Sequence, residues 1–87
     1  MSYINLAARR EVPVIASFNE KGDCVPLYFR YIFYDGSFTD IPIDRIIEKR
    51  TTTAHTFYTC YVNTYDIRRK IDLVHNRSKG TWTLNAF

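Results

Sequence analysis

Residues 24–34 read CVPLYFRYIFY, the longest apolar run of the chain, and Asp35-Gly36 follows it at once. Val25, Leu27, Phe29, Tyr31 and Phe33 alternate with Tyr28, Arg30, Ile32 and Tyr34, the period of two that a pleated strand imposes on its side chains. Asp-Gly supplies the positive-φ residue of a tight turn, so 26–34 and 37–41 read as one hairpin. Both faces of the first strand are apolar and Arg30 is its only charge. Such a strand lies at the centre of a small barrel or offers one face to a partner.

Toward the N-terminus, Val12, Val14, Ala16 and Phe18 alternate with Pro13, Ile15 and Ser17, the pattern of a half-buried strand. Pro13 near its start marks a sheet edge, because proline cannot donate to a ladder. Residues 19–23 carry turn chemistry. Residues 1–11 have little apolar periodicity and read as a loosely held N-terminal arm or one short helical turn, leaving 12–87 as a single β domain.

Toward the C-terminus, residues 41–50 admit two readings. Asp44 suits the cap of a helix that has Glu48 and Lys49 in its first turns. A strand is favoured, because that helix would run into Thr51-Thr52-Thr53, whose β-branched side chains resist it. His55 and its neighbours read as a loop. Phe57–Asn63 alternates again, with Tyr58, Cys60 and Val62 against Phe57, Thr59 and Tyr61. Residues 70–75 set Ile71 and Leu73 against Asp72 and Val74, residues 76–80 form a turn, and Trp82 with Leu84 marks a last strand. Six or seven short strands joined by tight turns make an all-β antiparallel meander. In a domain this small the expected solution is closure into an SH3-like or OB-like barrel, which hides the strand edges.

Composition agrees with that class. A chain of 87 residues holds one core, and 46% apolar with 24% charged residues is ordinary globular usage. Seven Tyr, six Phe and one Trp favour strands, where rings pack across the pleat. Cys24 and Cys60 lie far apart and form no C-x-x-C pair, so they read as two buried thiols, with a disulfide between them the other option. No stretch resembles a secretory leader or a membrane span, which points to the cytoplasm and away from a membrane partner. The net charge of +3 is uneven: residues 1–44 hold four basic and six acidic groups, and residues 45–87 hold eight basic and three acidic ones. The second half is the one suited to a polyanion.

The succession Pro13-Val14-Ile15-Ala16-x-Phe18, Gly22, Pro26-Leu27, Asp35-Gly36, Ile43-Asp44-Arg45-Ile46, Arg50, Tyr58-Thr59-Cys60 and Trp82 resembles a group of small β proteins of clostridia and related bacteria. The resemblance implies a stand-alone β domain with no established activity and no catalytic residue to carry over. It also favours, slightly, a role beside a nucleic-acid enzyme such as a lesion-bypass polymerase.

Catalysis needs groups that converge, and spacing brings none of His55, His75, Cys24, Cys60 and the carboxylates together. A Cys60–His75 pair across neighbouring strands is the one nucleophile arrangement to be drawn, and a core thiol beside an unrelated histidine is its commoner meaning. Two histidines lack a third ligand at metal spacing, and three scattered glycines build no phosphate loop. The expectation is therefore a binding module without catalysis, metal or cofactor. Asp44-Arg45 between isoleucines reads as an ion pair, or as a place where Arg45 meets a partner.

Basic and aromatic residues together carry the strongest binding signal. Tyr28, Arg30 and Tyr34 share one strand face, Phe57 and Tyr61 another, and Arg68, Arg69, Lys70, Arg77 and Lys79 flank the later turns. Small barrels hold single-stranded nucleic acid by stacking bases on rings while cations follow the phosphates. The alternative is a protein–protein or self-association module, a homo-oligomer included, in which those rings pack against a second chain.

Overall fold

The Asp35-Gly36 hairpin forms where the alternation predicts it, in a computed structural model that describes Ile4, Leu6 and residues 9–86. Phe33 N–H donates to Ser37 O and Gly36 N–H to Phe33 O, at 2.8 and 3.0 Å. Gly36 takes a φ of 89°, which a side chain would resist. Seven strands follow in order: β1 (Arg10–Glu11), β2 (Val14–Phe18), β3 (Cys24–Ile32), β4 (Phe38–Thr51), β5 (His55–Thr64), β6 (Ile67–Asn76) and β7 (Thr81–Ala86). All pairings are antiparallel, and the sheet order is β1-β7-β6-β5-β4-β3-β2.

The two apolar faces of β3 have a local cause. Ile15 pairs with Tyr28 but Ala16 pairs with Pro26, so Leu27 is an extra residue bulged out of the ladder. The bulge reverses the phase: Cys24 and Pro26 point inward before it, and Phe29 and Tyr31 after it. Val25 and Leu27, expected to share a face with Phe29, are exposed instead.

Residues 44–50 are strand, and two more bulges explain their helix-like spacing. Ile43 faces Val62 and Arg45 faces Tyr61, leaving Asp44 extra; Ile46 faces Cys60 and Glu48 faces Thr59, leaving Ile47 extra. Inward positions thus fall at Ile41, Ile43, Ile46 and Lys49 rather than at every second residue. β5 begins at His55, which therefore belongs to a strand and not to a loop. The turn between β5 and β6 uses Tyr65 and Asp66, both at positive φ, with no glycine to announce it.

The sheet does not close into the expected SH3-like or OB-like barrel; it is a strongly curled half-barrel that stays open. Its two edges, β1 and β2, are consecutive pieces of one segment kinked at Val12-Pro13. β1 pairs with β7, and β2 pairs with β3. Val12 N–H donates to Trp82 O at 3.0 Å and Arg30 N–H to Pro13 O at 2.9 Å, so the kink touches both ends of the sheet. The chain runs on through the kink without turning back on itself, and no ladder joins β1 to β2 among the described residues.

The concave side holds the core: Phe29, Tyr31, Ile41, Tyr58, Cys60, Val62, Ile71, Leu73, Trp82 and Leu84, with Val12 and Leu6. Leu6 is fully buried although it lies in the segment read as an arm, and Ile4 packs on the same cluster. Both cysteines are buried free thiols, with no disulfide. No helix among the described residues is long and apolar enough to cross a membrane.

Candidate functional site

Among the described residues, exposed rings and charges gather on the outer face of β2, β3 and the start of β4, on the outer face of β4, β5 and β6, and in a cleft in the mouth of the half-barrel.

On the first, the ladder sets Ile15 beside Tyr28, Tyr28 beside Pro42, Arg30 beside Asp40 and Ile32 beside Phe38. The Arg30 guanidinium grips Asp40 by two bonds, Nε to Oδ1 at 2.9 Å and Nη2 to Oδ2 at 3.3 Å, and lies 3.7 Å from the centroid of the Phe38 ring. That contact holds the Asp40 carboxyl below its ordinary range. Arg30 and Asp40 thus cancel each other locally, and around them Ile15, Val25, Leu27, Ile32 and Phe38 are exposed, Phe38 at 54%. Tyr34 stands fully exposed at the hairpin tip.

On the second, Arg45, Tyr61 and Lys70 form one cross-strand row, and Arg50, Phe57 and Val74 another. Arg68 covers the Tyr61 ring at 4.1 Å and Arg50 the Phe57 ring at 5.1 Å. Acids are interleaved. Arg68 reaches Asp44 at 3.4 Å, Arg50 reaches Glu48 at 3.8 Å, and Thr59 Oγ1 donates to Asp72 at 2.6 Å.

Of the residues singled out by the sequence, this face unites Arg45, Phe57, Tyr61, Arg68 and Lys70. Tyr28 and Arg30 belong to the first face, with Tyr34 at its tip. Arg69 stands opposite the inward Val62, away from the other cations. Lys79 is exposed in the β6–β7 turn. Arg77 lies apart from both faces, and its guanidinium donates to Thr52 O, Thr53 O, His55 O and the Thr56 hydroxyl and so pins the β4–β5 connection. Sequence reasoning missed Arg50, whose ring partner depends on the bulges, and Ile15 and Phe38, which looked like ordinary strand positions.

The third surface is a cleft of about 320 Å³ lined by Phe18, Gly22, Asp23, Cys24, Lys49, Thr51, Thr56, Tyr58, His75 and Arg77. Its floor is aromatic: His75 stacks on Trp82 at 4.3 Å, and Tyr58 on Trp82 at 5.7 Å. The Tyr58 hydroxyl donates to Cys24 O, and burial pushes its pKa up to about 12. Burial, helped by the Arg77 charge, lowers the pKa of His75.

Cys60 does not reach the cleft. It faces Ile71 while His75 faces Thr56, so the two residues stand four positions apart along β5. Burial raises the Cys60 thiol to about 12, which keeps it protonated and unreactive. Among the described residues, no three His, Cys, Asp or Glu side chains converge as metal ligands.

No protein family, curated protein or solved structure matches the chain.

Proposed function

We propose that the chain is a non-catalytic association module that adds a second copy of itself to the edge of its sheet through β2. The observation that carries this reading is an unshielded edge. Soluble proteins guard edge strands with charges, inner prolines or covering loops, because unpaired backbone recruits other strands. β2 reads VIASF, with no charge and no proline, and has a strand on one side only among the described residues. Beside it lies the exposed apolar face of β3 and β4, and unguarded apolar surface of that kind marks docking sites.

A second copy fits better than a charged partner. The face is neutral, since Arg30 and Asp40 neutralise each other, whereas the whole chain carries +3. Two copies therefore repel least there. Antiparallel pairing about Ala16 sets Ile15 against Ser17 and Val14 against Phe18, a small side chain facing the larger one in each pair.

Sedimentation at about 100 μM is expected to show a dimer, and Ile15→Lys to weaken it by at least about tenfold, roughly 1.4 kcal/mol. Ile15 is 51% exposed, so the variant keeps its fold. A wild-type chain that stays monomeric under those conditions sinks the reading.

A second reading rests on the outer face of β4–β6, where Phe57 and Tyr61 sit among Arg45, Arg50, Arg68 and Lys70. It is binding of single-stranded nucleic acid, alone or beside an enzyme that handles it. Bases displace the two guanidinium groups from the rings, and the cations meet the phosphates. Asp44, Glu48 and Asp72 weaken the field, which ranks this reading second. Tyr61→Ala is expected to cost about 1–3 kcal/mol of binding to an oligonucleotide in low salt. Binding that is undetectable, or indifferent to added salt, rules it out.

A further inference from the structure

We infer that the cleft in the mouth of the half-barrel is a binding site for a small aromatic anion, with Lys49 as its charge partner. The two readings share Phe18, which ends β2 and also lines the cleft, so Lys49, on β4 and outside the β2 edge, is the residue that tells them apart.

Five parts of the chain converge on the cleft: the end of β2, the β2–β3 turn running into β3, the end of β4, the start of β5, and the end of β6 with its turn. Its 320 Å³ lies near the lower end of small-molecule pockets, about 300–1,000 Å³, enough for a compact ring system rather than a chain segment. Phe18, Tyr58 and His75 bring three rings to its lining. Phe18 is 67% exposed at the rim, and His75 and Tyr58 are fixed by their stacking on Trp82.

The charge in the cleft is predominantly positive. Lys49 and Arg77 face one acid, Asp23, whose carboxylate already accepts from the Asn19 side-chain amide at 3.2 Å. Neither cation has a carboxylate within 4 Å among the described residues. Arg77 is held by three carbonyls and a hydroxyl, which orient it but leave its charge uncompensated. The Lys49 ammonium lies 5.7 Å from the centroid of the Tyr58 ring, at the side of the cleft. Thr51 and Thr56 also line the cleft, and the Thr56 hydroxyl accepts from Arg77 at 2.9 Å. Burial first and the Arg77 charge second lower the pKa of His75 at the cleft floor. A ligand whose ring lies against Phe18 and whose carboxylate or phosphate meets Lys49 answers both features.

The test is a proton NMR titration of the full chain with benzoate and with phenyl phosphate. At least one should give saturable shifts of the His75 ring and Trp82 indole signals. Lys49→Gln should weaken binding at least about tenfold, and Lys49→Arg should retain it. Lys49 is exposed, so both variants keep the fold. Preference for one probe tells carboxylate from phosphate, and either supports the site. Absence of saturation by about 10 mM for both probes overturns it, as does binding that Lys49→Gln leaves unchanged.

Discussion

Phe29→Ala is expected to cost about 3–5 kcal/mol of stability and Leu27→Ala less than about 1 kcal/mol, although the two residues stand two apart in one strand. An uninterrupted strand puts both on one face and gives them similar costs. The bulge at Leu27 separates them: Phe29 is 0% exposed in the core, and Leu27 is 45% exposed. Emptying the Phe29 site removes a ring that its packed neighbours cannot replace, whereas Leu27 already meets water. Small domains hold only about 5–15 kcal/mol in total, so the Phe29 variant is close to unfolding. Urea midpoints at a constant m-value measure both. Equal losses mean that the bulge is absent in solution.

Leu6→Ala is expected to lose about 2–5 kcal/mol, a core-sized effect from a residue outside every strand. Leu6 is 0% exposed and belongs to the central cluster, with Ile4 packed beside it. The physical cause is the open sheet. A closed barrel covers its own interior, whereas a half-barrel leaves concave apolar surface that some other segment has to cover. A thermal melt of the variant decides the point. An unchanged melting temperature means that the N-terminal segment is the loose arm its composition suggests.

Much of the fold was legible in the sequence because short-range chemistry sets it. Asp35-Gly36 announced the β3–β4 hairpin, the alternation from Phe57 to Asn63 announced β5, and Thr51–Thr53 ruled against a helix at 44–50. His55 was misread because nothing local marks the point where β5 starts; Arg77, bonded across to Thr52, Thr53 and His55, sets that junction from more than twenty residues away. The β5–β6 turn has no glycine, so Tyr65 and Asp66 gave no sign of their positive φ.

The candidate sites were less legible. Tyr61 and Arg45 were each noticed, but their meeting depends on a register that skips Asp44. Lys49 enters the sequence reading only as a position in the first turns of a helix, since the two bulges that turn it toward Tyr58 leave no mark in the residue pattern. Arg77 reads as a binding cation, and the sequence gives no sign that it also pins the β4–β5 connection, because the acceptors of its guanidinium are distant in sequence.

By itself the sequence determined the class of the protein: an all-β meander whose strands, tight turns and buried thiols follow from period, propensity and composition. Those are properties of a residue and its immediate neighbours. Tertiary structure alone decided where the alternation slips, which of the two apolar faces of residues 24–34 meets water, and that the sheet stays open. Bulges and closure depend on how distant strands pair, and side chains cannot signal a register that they share with partners tens of residues away.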